Sequence, residues 1–143
     1  MRFLTIEPDE MAIGEIEAPN AGVAKVAILG DIDVDHGVVD GPKGGVSLAI
    51  IVDEYSLLDT NDQKFFSIGD KLFAGKAVIY GFDGAGETVS IPEDDDRISA
   101  STVVFMKGVE EVEAAITSGR LPRPRAAING EVIWEWNKPA PPE

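Results

Sequence analysis

The run Val46-Ser-Leu-Ala-Ile-Ile-Val-Asp53 constrains the fold most, because it is apolar and β-branched enough to be a central strand and so needs strands beside it. Candidates lie on either side. Arg2 to Glu7 reads as an opening strand, with Phe3 and Ile6 available to the core, that Pro8-Asp9-Glu10 ends, and Ile13 to Glu17 reads as a short second strand. Asp31-Ile-Asp-Val-Asp35 alternates strictly, which predicts a strand with Ile32 and Val34 on one face and three carboxylates on the other. That strand is expected to pair with 46–53, and Asp40-Gly-Pro-Lys-Gly-Gly45 reads as the turn-rich link between the two. Lys76 to Gly81 and Glu87 to Ile91 predict a second hairpin around Phe82-Asp-Gly-Ala-Gly86, and Thr102 to Met106 continues the strand signal. Asn129-Gly130, between Ala126-Ala127-Ile128 and Glu131 to Trp136, is the strongest short hairpin signal, with Val132, Trp134 and Trp136 on one face.

Helical signals are fewer. Ala21 to Leu29 fits a short helix or a buried strand, and the helix is the preferred reading because Asn20 suits its N-cap and Gly30 its stop. Val109, Val112 and Ile116 recur at helical spacing through Lys107 to Ser118, with Gly119 as C-cap. Strand runs without regular β–α alternation predict an α+β domain, an antiparallel or mixed sheet of hairpins with one or two helices packed on one face. No Gly-x-Gly-x-x-Gly turn follows a predicted strand, which disfavours a dinucleotide-binding fold. The 143 residues suit one domain, taken as 1–138, followed by a flexible Pro-rich tail over 139–143.

Charge narrows the partners. Twenty-six acidic against twelve basic residues give a net charge of −14, so a phosphate-binding surface would form against a negative field. Direct nucleic-acid binding is not expected. The same field favours a host protein with a basic surface, including one whose nucleic-acid groove an acidic chain could occupy as a mimic. With no Cys there is no disulfide framework, thiolate metal site or thiol nucleophile, and a reducing cytoplasm fits. Met1 to Glu7 lacks the features of a signal peptide, and no apolar run approaches the ~20 residues that span a bilayer, so neither export nor a membrane is expected. A homo-oligomer is compatible with the sequence.

Several constellations bear on chemistry. Asp31-x-Asp33-x-Asp35 copies the first three ligands of a calcium loop, but His36 stands where that loop needs Gly and Pro42 where it needs Glu. An exposed strand face is the expectation, with no metal and no cofactor. His36 is the only histidine, so no two-histidine site exists and a polar residue at a strand end is the plain reading. Lys43-Gly-Gly-Val-Ser47 is similar to a fragment of the phosphate loop of partition-type ATPases but lacks its closing Gly-Lys-Ser/Thr, which leaves a hairpin connection. Glu93, Asp94, Asp95 and Asp96 form a dense acidic loop able to meet a basic partner. Arg120, Arg123 and Arg125 stand out against the acidic background, as complements to the preceding helix's C-terminus or as phosphate readers.

Val52-Asp-Glu-Tyr-Ser-Leu-Leu58, Gly75-Lys-Ala-Val-Ile-Tyr-Gly81 and Gly84-Ala-Gly-Glu87, preceded by Gly30-Asp-Ile-Asp-Val34, carry a resemblance. In that order the segments resemble a domain-of-unknown-function family of phages and their bacterial hosts, over about half the chain. The resemblance implies a phage or mobile-element origin, an accessory role in the host cytoplasm, and no catalytic residues. The expected function is therefore binding to a host protein without catalysis, through Asp31, Asp33, Asp35 and Glu93 to Asp96. A small-ligand or nucleotide sponge using Arg120, Arg123 and Arg125 is the alternative, and a divalent-metal carboxylate enzyme ranks last.

Overall fold

In a computed structural model, residues 1–53 and 64–121 are described, together with the backbone of 127–128 and 131–132. β1 (Arg2–Glu7) and β2 (Ala12–Glu17) form an antiparallel hairpin, as their alternation with a Pro-Asp-Glu break requires. α1 (Ala21–Leu29) follows. The Asn20 side chain accepts a hydrogen bond from the Val23 N–H at 2.9 Å, and Gly30, at φ 84°, ends the helix in a conformation other residues resist. β3 (Val34–Lys43) and β4 (Val46–Asp53) pair through a two-residue turn whose Gly44 and Gly45 both have positive φ, the arrangement that suits the twist of a tight hairpin.

Two differences from the sequence reading lie in β3. The strand begins at Val34, not Asp31: Ile32 is exposed ahead of it, while Val34 packs against the cluster that includes Ala24 of α1. Its far end runs through Asp40-Gly-Pro-Lys43, expected as a link. Register shifts between Val38 and Asp40 and between Asp40 and Lys43 absorb the irregularity, and Pro42 is tolerated because β3 is an edge strand.

β5 (Phe65–Ile68) and β6 (Lys71–Ala74) form a hairpin that the sequence reading did not anticipate. β7 (Ala77–Phe82) and β8 (Thr88–Val89) form the expected one, and β9 (Val103–Met106) leads into α2 (Val109–Thr117), after which Gly119 takes φ 82°. β10 (Ala127–Ile128) and β11 (Glu131–Val132) pair on either side of Asn129-Gly130, as that dipeptide predicts. Trp134, Trp136 and the 139–143 tail lie outside the described residues.

Every strand pair described is antiparallel, so the chain is an α+β protein. The larger sheet runs β2-β1-β7-β4-β3 with β8 beside β7, and a second runs β6-β5-β9. Alternation then builds four layers. Leu4, Ile6, Leu48, Ile50, Ala77 and Ile79 leave the large sheet on the side that meets Phe66 and Val103 of the small one, a shared core between sheets. The opposite neighbours, Phe3, Ile51 and Val78, pack with Ala24 of α1. On the far side of the small sheet, Phe65, Leu72, Ala74 and Met106 pack with Val112 and Ala115 of α2. Each helix thus covers one face of one sheet, and the two form the outer layers.

Candidate functional site

α1 covers only part of its sheet face. Beyond it, Val38, Ala49 and Tyr80 line up in register across β3, β4 and β7. The short Ala49 side chain between two long ones leaves a hollow of about 210 Å³, closed at its sides by His36 and Phe82 and at its rim by Gly86 from the β7–β8 loop. Sequence alternation dictates this grouping, since His36 and Val38 share one face of β3 as Tyr80 and Phe82 share one face of β7. The His36 Nδ1 lies 3.3 Å from the Tyr80 hydroxyl, with the two rings 5.9 Å apart and nearly perpendicular. Tyr80 and Phe82 are 6.3 Å apart at 49°. The β7–β8 loop is held by Asp83, whose carboxylate accepts from the N–H groups of Ala85 and Glu87, both at 2.9 Å.

Asp31 and Asp33 are exposed in the segment before β3, and Asp35 is exposed on β3 with one oxygen accepting from the N–H of His36 at 3.0 Å. Glu93, Asp94 and Asp96 are exposed in a loop that runs from Pro92, whose carbonyl accepts from Arg2 at 2.6 Å, to the other end of β3, where Asp96 meets Lys43 at 3.3 Å. Nine rises of ~3.3 Å separate the two ends of β3, so Asp31 and Asp33 stand roughly 30 Å from Asp96 rather than beside it.

Asp95 departs from its neighbours. Its side chain is only 5% exposed and accepts from Arg97 Nη2 at 2.6 Å and Nε at 3.0 Å. Arg97 also donates from Nη1 to the Gly41 carbonyl at 2.7 Å and to Asp40 at 3.3 Å, and from Nη2 to the Val46 carbonyl at 2.9 Å, which places all five of its N–H donors. The Arg97 hydrogen bond holds the Asp95 carboxyl below its ordinary pKa against the opposing effect of burial, and Asp95 in turn raises Arg97. Asp95 therefore fastens the acidic loop to the β3–β4 hairpin and is not free for a partner. The sign of this in the sequence is Arg97 itself, two residues beyond Asp95 at the end of the acidic run.

Arg120 sits after α2, with Nη1 3.5 Å from the Ser67 hydroxyl and Nη2 3.7 Å from the Met106 sulfur. It belongs to the outer side of the small sheet, whereas the hollow faces outward from the large one. The structure does not bring it to the acidic residues, and Arg123 and Arg125 lie outside the described residues. Among the described residues no three His, Asp or Glu side chains could hold a metal ion, and no helix is long and apolar enough to cross a membrane.

His36 stands out in the sequence as the only histidine, whereas Tyr80, Phe82 and Ala49 do not stand out. Their sequence sign is faint, consisting of two aromatic residues at alternate positions on one strand and a small residue within the apolar run of another. No family model, no curated protein and no solved structure matches the chain.

Proposed function

We propose that the chain is a non-catalytic binding protein that engages a basic surface of another protein, a host protein if the resemblance to phage accessory proteins holds. One observation carries the reading. Asp31 and Asp33 before β3, and Glu93 and Asp94 in the loop that leads to its other end, are exposed carboxylates that form no ion pair among the described residues, while the chain's net charge is −14. Such an arrangement speeds encounter with a basic surface and sets its orientation, since two separated negative groups match only partners with suitably spaced positive ones. β3, the outermost strand of its sheet among the described residues, lies between them and is tied by Arg97 to the loop that carries the second group.

The test is affinity capture from bacterial lysate with the wild-type chain and with a variant carrying Asp31→Asn, Asp33→Asn, Glu93→Gln and Asp94→Asn. A protein retained at low salt, released as salt rises and not retained by the variant is the expected result. Capture that ignores both salt and the four substitutions, or no capture at all, refutes the reading.

A further inference from the structure

The hollow on the outer face of the large sheet has a chemistry of its own, distinct from the acidic ends of β3. It is lined by three aromatic rings with Val38, Ala49 and two glycines; among the described residues no lysine or arginine lines it, the Lys71 Nζ meeting Val38 only at its backbone carbonyl, at 2.6 Å. Val38 is 55% exposed and Phe82 half-buried, so apolar area stands in water in the free chain and can be covered. The loop that supplies Gly86 to the rim carries Asp83 and Glu87, and Asp83 is fixed in place by its two backbone bonds. Aromatic rings within a net charge of −14 attract a cation, and the same field repels an anion.

We infer that the hollow seats one arginine side chain of the basic partner, an assignment that rests on the function proposed above. The guanidinium is favoured over an ammonium for three physical reasons. It is flat and can lie against a ring face in an open depression. It sheds water more readily than a lysine head. Its several donors can reach acceptors at the rim, including the Tyr80 hydroxyl, while the apolar stem covers Val38. Ala49 is the residue that makes room, because a longer side chain there would fill the space between Val38 and Tyr80.

Arginine amide, lysine amide and tetramethylammonium, each titrated into the isotopically labelled chain and followed by NMR, provide the test. Arginine amide is expected to move the signals of His36, Val38, Ala49, Tyr80 and Phe82 along one saturating curve, about tenfold tighter than lysine amide. Ala49→Leu should abolish that response. Val38→Lys, which puts a cation at the exposed lip without entering the core, should do the same and guards against a folding defect in the first variant. Equal responses to arginine and lysine, tetramethylammonium matching arginine, or no response at these residues would each overturn the assignment. Should the shifts fall only on Asp31, Asp33, Glu93 and Asp94, the hollow is not the seat while the electrostatic function stands. Loss of salt-sensitive capture from lysate, with the hollow still selecting arginine amide, would instead remove the function and leave an arginine site without its protein partner.

Discussion

Asp95 and Arg97 show how one residue can leave the set to which its sequence neighbours belong. Four consecutive acidic residues read as a solvated run, yet the third is buried against a guanidinium that also holds the Gly41 and Val46 carbonyls. A buried pair broken on one side leaves its partner poorly compensated, so Asp95→Asn should cost about 2 kcal/mol in urea-induced unfolding. The pH dependence has a definite sign. Because the folded pKa of Asp95 lies below its unfolded value, its contribution is complete above the ordinary carboxylate range and fades as pH drops below about 4 through the lower folded value. Wild-type stability should therefore fall more steeply in acid than that of Asp95→Asn, as paired unfolding curves across that window would show.

The two helices are capped by different means, and the difference is measurable. α1 has no acidic residue in its first turn and no basic residue in its last, so the Asn20 side chain is the polar group that fixes its start. Asn20→Ala should lower stability by about 1 kcal/mol. α2 begins at Gly108 without a side-chain cap, but Glu110 and Glu111 occupy its first turn and the Glu111 carboxylate accepts from the Lys107 N–H. Gly108 is extended, and nothing lies near an added Cβ. Gly108→Ser should therefore stabilise by about 0.5 kcal/mol, measured in the same denaturant series. Both helices were legible because a cap and a left-handed glycine are local signals. β5 and β6 were not, since neither Phe65–Ile68 nor Lys71–Ala74 carries a hairpin dipeptide or sustained alternation, and their pairing rests on β9 and a stacked Phe66–Phe73 pair at 5.2 Å.

Over the whole molecule, the core shared by the two sheets sets cooperativity. Phe66 is fully buried from the small sheet among Leu4, Ile50 and Ile79 of the large one. Phe66→Ala should cost about 3–5 kcal/mol and leave a single unfolding transition, seen alike by far-ultraviolet dichroism and by aromatic signals. Separate transitions would show that the sheets unfold independently. The charge of −14 acts on the same scale, since repulsion among exposed carboxylates opposes the compact state. Added sodium chloride should raise the melting temperature, and a fall on adding salt would mean that the surface ion pairs outweigh the repulsion.

Local chemistry in the chain carried the α+β class, the pairing of 46–53 with the strand before it, both helices with the Asn20 and Gly30 caps of α1, and the Asn129-Gly130 hairpin, while the C-cap of α2 falls at Ser118, one residue before the expected Gly119. Each follows from periodicity or backbone preference within a few residues. The position of the second sheet, the roughly 30 Å between Asp31 and Asp96, the burial of Asp95 and the hollow over Ala49 follow from register between strands distant in sequence. A side chain's neighbours across a sheet are set by that register, and the residue's own local pattern holds no record of them.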